Sequence, residues 1–195
     1  MRAMTKTEKL SDLNKRWSLK NTCELKTSAT QPVFGDGNPN ADIVSIGEAP
    51  GKSEDKTGKP FVGAAGKFLA EMLQSIKLKR EDVYITNIVK YRPPNNRDPK
   101  PSEKESCAKW LVEELNLIEP KLIVFLGRHA MHNFFPELII GDAHGKLIQK
   151  KLPGIATEYF LPLYHPAAAL YNGGMRETLK KDFAVIAKSI KKLKK

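Results

Sequence analysis

Cysteine is almost missing from this chain: two thiols stand in 195 residues, at Cys23 and Cys107. Two cysteines make no disulfide framework, so the fold must rest on a hydrophobic core, and the count fits a reducing cytoplasm. No apolar run approaches the length that spans a bilayer, and no stretch resembles a signal peptide. A cytoplasmic protein without membrane contact is expected. Repeats and low-complexity tracts are absent as well. Acidic residues are in short supply, 22 against 33 Lys and Arg, a formal net charge of +11. That excess suggests an anionic partner such as nucleic acid, with a Lys-rich surface serving only solubility as the bland alternative. A composition 41% hydrophobic and 28% charged is that of a globular protein, and one domain over residues 1–195 is expected.

What is present is an alternation of short apolar runs and helical stripes. Residues 4–16 have the pattern of a polar N-terminal helix. Ile43 to Ile46 opens the strand series, and "DVYITNIV" supplies a second strand ending near Asn87. Between them, residues 47–68 read "GEAPGKSEDKTGKPFVGAAGKF", a long Gly-rich loop. It leads into a helix with apolar residues at Phe68, Leu69, Met72, Leu73 and Ile76. The loop "KYRPPNNRDPKPSE" is too long for a casual connection. Ser102 to Glu105 has the spacing of a capping box, followed by a helix with Cys107, Trp110, Leu111 and Leu115 on one face. "KLIVFLG" is a third buried strand, and "RHAMHNFF" a short helix after it. Residues 142–157 read as a β-hairpin or an irregular insertion, and "YFLPLYHP" as the fourth strand. A last helix carries Leu179, Phe183, Ile186, Ile190 and Leu193. This order predicts a three-layer α/β/α sandwich around a central four-stranded, mostly parallel sheet.

Three segments then fall at the carboxyl edge of the predicted sheet, where ligands bind in such folds: the "GEAPG" loop, Asn87 and "HPAAALYN". Each has a bland alternative. "GEAPG" lacks the dinucleotide fingerprint and the Lys-Ser/Thr of a P-loop, and Glu48 would repel phosphate. Asn87 alone could cap a helix, and His165 alone could be a hydrogen-bonded structural histidine. His129, His132 and His144 lack the spacing of a metal site, and no metal is expected.

Together these motifs are specific. "VFGDGNPNADIVSIGEAPGKSEDKTGKPFVGAAGKFL", "VYITNIVKYRPPNNRDPKPSE", "LIVFLG" and "LYHPAAAL" resemble the family 4 uracil-DNA glycosylases, over a span from about Cys23 to the C-terminal helix. The resemblance implies an enzyme that flips uracil out of DNA and hydrolyses its N-glycosidic bond, initiating base excision repair. Preorganised donors at the uracil oxygen then carry most of the catalysis. In that picture His165 and the backbone of Glu48, Ala49 and Pro50 meet the base, and Phe61 stacks on its face. The Asn87 amide would read uracil N3–H and O4, a pattern that cytosine reverses. The best-known members of the superfamily have an Asp where this chain has Ala49. Glu48, Glu54 and Asn96 are the groups left for water and sugar. Glu54 is expected to position water or stabilise the sugar cation, with Glu48 shaping the loop. The alternative is that either acid only braces that loop. Leu170, with Ala169 beside it, is expected at the DNA minor groove as an apolar wedge.

The resemblance also implies a [4Fe–4S] cluster held by four cysteines. Cys23 and Cys107 occupy two of those positions, but Lys20 and Tyr91 occupy the others, so no cluster is expected. A monomer acting on uracil-containing DNA is expected. The competing functions are a glycosylase for another deaminated base such as hypoxanthine, and a non-catalytic DNA-binding relative.

Overall fold

The computed structural model of the chain describes residues 2–193, so the last two lysines of the C-terminal "KKLKK" run lie outside the described residues. Four parallel strands form its centre: β2 (Ile43–Gly47), β3 (Tyr84–Asn87), β4 (Leu122–Leu126) and β6 (Tyr159–Leu163). Two short strands that the sequence pattern does not reveal, β1 (Asp36–Gly37) and β5 (Ile148–Gln149), pair antiparallel at the two edges. The sheet therefore has six strands rather than four, in the order β1-β3-β2-β4-β6-β5. Two-residue strands carry no alternation to read, and they also keep the edges short, which guards against edge-to-edge pairing.

Side chains alternate across the sheet with the period of two that strands impose. Val44, Ile46, Ile123, Phe125 and Phe160 enter one core, while Ile43, Leu122, Val124, Leu126, Leu161 and Leu163 enter the other. The first core is covered by α1 (Lys6–Lys20) and α4 (Pro101–Ile118), and the second by α3 (Ala64–Ser75) and α8 (Met175–Leu193). That is the three-layer sandwich. Helix α1 is longer than the 4–16 reading, because Leu10, Leu13 and Trp17 continue one buried stripe. Thr5 caps it, with Glu8 returning a bond to the Thr5 N–H at 2.7 Å.

The start of α4 corrects a sequence reading. Ser102 and Glu105 form no capping box. Pro101 is the first helical residue, and Glu103 Oε2 accepts the Lys100 N–H at 2.7 Å. The carboxylate of Glu103 is also gripped by Arg97, at 2.6 and 2.8 Å. The Gly-rich loop is also not all loop: it contains α2 (Lys52–Thr57), closed by Gly58 at φ 71°. Residues 142–157 combine both expectations. They begin inside the short α6 (Ile140–Ala143), and β5 and β6 make a hairpin whose connection holds a Leu152–Ile155 bridge.

Under the end of β3 lies a buried ion pair. Lys90 Nζ stands 2.7 Å from Glu114 Oε2, with side-chain exposures of 4% and 2%. Glu114 also accepts from Tyr84 Oη at 2.9 Å and Thr86 Oγ1 at 3.1 Å, and Lys90 donates to the Asn87 carbonyl at 3.1 Å. Breaking such a pair leaves one charge uncompensated in the core, at a cost of about 3–5 kcal/mol, whereas an apolar replacement of both partners is much better tolerated. Urea unfolding of Glu114→Ala should show a loss of that size, and Lys90→Met/Glu114→Leu a smaller one. A single variant as stable as the parent would contradict this account.

Candidate active site

The central four strands all end at one edge, and the chain leaves β2 for β3 on one side and later reaches β4 on the other. The loop after β2 thus sits where strand order reverses, the place at which such sheets open a crevice. A cavity of about 410 Å³ lies there. Its walls include Glu48, Ala49, Pro50, Glu54, Phe61, Asn87, Asn96, His165 and Leu170, which brings nine of the ten expected site residues together. Ala169 is the exception: it is buried in the second core and does not line the cavity. A larger hollow of about 670 Å³ lies between α1 and the β1 edge. It is away from the strand ends and gathers none of these groups.

Asn87 is 1% exposed, and its Oδ1 has no hydrogen-bond partner among the described residues. An orphaned buried carbonyl costs about 1–3 kcal/mol, so a built-in vacancy of this kind is what a ligand donor would satisfy. Register places Asn87 directly beside Gly47. A Cβ on Gly47 would come within 2.4 Å of Asn87 Oδ1 and 2.6 Å of the Phe61 ring, so only glycine allows all three to converge. Phe61 is held at φ 52°, a left-handed conformation uncommon for a bulky residue. Arg80 donates to the carbonyls of Pro60 and Phe61 and fixes that turn. In the cavity wall, the Phe61 and His165 rings are neighbours, 5.7 Å apart at 33°.

His165 accepts the Ala167 N–H on Nδ1 at 3.1 Å. That bond assigns the proton of the neutral ring to Nε2, making it a donor. Burial, helped by the nearby His129, pushes the imidazole pKa down to about 4, so the ring is neutral near pH 7. The cavity therefore offers a neutral N–H donor at one side and an unmet amide oxygen at another.

The two acids divide differently from the sequence expectation. Glu54 is engaged with backbone: its Oε1 accepts from Val62 at 2.9 Å and Gly63 at 2.8 Å, and its Oε2 from Gly51 at 3.1 Å. It ties the two ends of the Gly-rich loop together. Glu48 Oε1, by contrast, is buried and without a hydrogen bond. Burial, reinforced by the like charge of Asp98, raises its carboxyl pKa to about 7, against the opposing pull of Lys104 and Arg128.

Leu170 is 44% and Tyr171 91% exposed at the rim, in α7 (Ala168–Tyr171). Asn96 stands at φ 54° and accepts from Arg92 Nε at 2.7 Å. Sequence reasoning passed over Arg97, Ala64, Ala65 and Tyr171, which also line the cavity. Tyr171 carried a usable signal, as an aromatic directly after the expected wedge residue. His129 is on α5 (Arg128–His132), immediately beyond β4, and with Glu48 and Asp98 it forms the one group of metal-ligand type found among the described residues.

A crevice at the strand ends thus gathers a neutral histidine, an unmet amide and an aromatic face. Residues 34–194 match the Uracil DNA glycosylase superfamily, and the chain belongs to it. Its relatives include the type-4 uracil-DNA glycosylase of Archaeoglobus fulgidus, 46% identical over 92% of both chains. Those of Sulfurisphaera tokodaii and Thermotoga maritima are 44% and 38% identical. The first alignment covers 84% of this chain and 77% of the relative, the second 86% of each.

The crowding at Gly47 yields a direct test. Gly47→Ala should push Asn87 and Phe61 out of register, and a displacement of about 1 Å can cost ~10²-fold in rate. Single-turnover base release should fall by that order with thermal stability largely kept. Unaltered release would show that the convergence is not needed.

Proposed function

We infer that this protein is a uracil-DNA glycosylase, which hydrolyses the bond between uracil and deoxyribose in DNA and so initiates base excision repair. The observation that carries the reading is the unpartnered Oδ1 of Asn87, a residue that lines the same cavity as a neutral His165. Uracil N3–H can donate to Asn87 Oδ1, while the amide NH₂ serves O4. Cytosine presents the reverse pattern and would leave both buried groups mispaired.

As the C1′–N1 bond breaks, its electron pair moves onto the uracil ring, and negative charge grows on O2. His165 Nε2–H, with backbone groups of the Glu48–Pro50 loop, is suited to stabilise that oxygen, and neutrality lets the histidine act as a hydrogen-bond donor without surrendering its proton. Phe61 supplies the stacking face. Water adds to C1′ from the other side, and Glu48 is the group that holds it and takes its proton, because Glu48 alone of the two acids has a free oxygen. Glu54 serves as the loop brace. Leu170 and Tyr171, exposed at the rim with Asn96 nearby, are the residues to enter the space left by the flipped nucleotide. Ala169 supports them from beneath. The +11 charge supplies phosphate contacts. Among the described residues no helix is long and apolar enough to cross a membrane.

An iron–sulfur cluster does not fit this chain. Four thiolates are needed and two cysteines exist. The Cys23 and Cys107 thiols lie buried together in one core, and their mutual interaction draws the Cys23 pKa down. Tyr91 fills the neighbouring space, its ring 4.9 Å from that of Trp17, and Lys20 is exposed at the end of α1. Ordinary packing holds the region. Purified protein should be colourless with background iron, and a brown, iron-loaded preparation would contradict this assignment.

Base release from matched oligonucleotides bearing U, T, C or hypoxanthine, read by abasic-site cleavage, tests the function. Release should be confined to uracil. His165→Ala should lower it by about 10²–10³, and Asn87→Asp should weaken it while admitting some cytosine. Binding to uracil-free duplex should weaken steeply with salt. Release of hypoxanthine alone would move the assignment to another deaminated base, and release of nothing would leave a DNA-binding relative.

A further inference from the structure

Glu48 faces a second side chain that the hydrolysis scheme leaves unused. His129 Nδ1 stands 3.7 Å from Glu48 Oε1, and on the far side of the ring Nε2 stands 3.2 Å from Asp98 Oδ2. Arg128 Nε donates to the same Nε2 at 3.1 Å. The three acid and imidazole groups come from three separate places: the end of β2, the proline-rich loop before α4, and the first turn of α5. Their convergence has no packing explanation, since Glu48 Oε1 gains no hydrogen bond from any described neighbour.

We propose that His129 is a positioning residue for the hydrolysis, turning its Nδ1–H toward the Glu48 carboxylate and so orienting it and favouring its anion, with Asp98 and Arg128 holding the far side of the ring. The inference rests on the reading of Glu48 as the water-holding group. The hydrogen bonding defines the tautomer. A neutral ring accepting from Arg128 on Nε2 must carry its proton on Nδ1, toward Glu48. A charged ring donating from Nε2 to Asp98 carries one there as well. In both states Glu48 faces an N–H. During the reaction the water oxygen bonds to C1′ as the C1′–N1 bond breaks, and the electron pair leaves with uracil. The water proton goes to Glu48 Oε1. Glu48 later releases that proton to water, while His129 keeps its own proton on Nδ1 throughout. No other reactant is needed.

The charges around His129 agree with this role. Burial holds the His129 pKa below its ordinary value, with Asp98 raising it and Arg128, Lys104 and His132 lowering it further. The ring is thus a neutral donor toward Glu48. His165 is also near enough to feel it. Arg128 and Lys104, on α5 and α4, face the same carboxylates and disfavour a divalent cation among the three groups.

Single-turnover uracil release measured from pH 5.5 to 9.5 separates an N–H that orients and tunes Glu48 from a merely structural histidine. The parent should lose rate on the acid side around pH 7, as Glu48 becomes protonated. Removing the N–H in His129→Ala should raise the Glu48 pKa and move that limb to higher pH, about tenfold in rate per unit on the limb. The defect should therefore be larger at pH 6.5 than at pH 9. Asp98→Asn removes a like charge and should move the limb the opposite way. His129→Gln, which keeps an amide N–H, should recover part of the loss. Thermal melting and binding to uracil-free duplex should match the parent in all three. A defect of equal size at every pH, or none, overturns the proposal. Glu48→Gln distinguishes the underlying reading: a low, flat profile retains Glu48 as the water group whatever His129 does, while an unchanged profile removes both claims.

Discussion

The absence of a Cβ at Gly47 is the constraint on which the rest of the site depends. The β2–β3 register sets Gly47 against Asn87, and the Phe61 ring closes over both. With any side chain there, the amide and the aromatic face could not meet at a single base-sized space. The neighbourhood is built to hold this geometry. Arg80 fixes the backbone at Phe61, Glu54 ties Gly51 to Val62 and Gly63, and Gly66 lets α3 approach the Phe61 carbonyl, where a Cβ would stand 1.9 Å away. Beneath β3, Lys90 and Glu114 anchor the Asn87 carbonyl in a buried network. The strained Phe61 and the unsatisfied Asn87 oxygen both lower stability, and the surrounding contacts offset that cost.

The site's electrostatics follow from burial rather than from opposing charge. The same low-dielectric surroundings that keep His165 neutral also keep Glu48 near the middle of its titration. One group must be uncharged to donate, and the other must be an anion to receive a proton. Desolvation favours the neutral form of both, lowering the imidazole pKa and raising that of the carboxylate. Glu48 is therefore the anion only above the middle of its titration, with the His129 imidazole adjacent to it.

Much of this was legible in the sequence, for identifiable reasons. Four central strands and the helices over them follow from apolar runs and stripes such as Leu179, Phe183 and Ile186 in α8. The site residues fall at strand ends, so strand assignment alone brings Glu48, Asn87 and His165 together. The edge strands β1 and β5 escaped because two residues carry no period. The α4 cap was misplaced by two residues because Pro101 and Glu103 outcompete Ser102. The division between Glu48 and Glu54 depends on which backbone N–H groups lie within reach, and spacing along the chain does not encode that. His129 was read as one of several unconnected histidines; its partners lie 81 and 31 residues away in the chain, at Glu48 and Asp98.

The central claim is that the pocket is formed in advance to fit the hydrogen-bonding edge of uracil. A crystal structure of the protein with free uracil tests it most directly. The account predicts uracil stacked on Phe61, with N3–H bonded to Asn87 Oδ1 and O2 bonded to His165 Nε2, and with Asn87 and Phe61 unmoved. Uracil bound elsewhere, or reached only after Asn87 and His165 have rearranged, would contradict it.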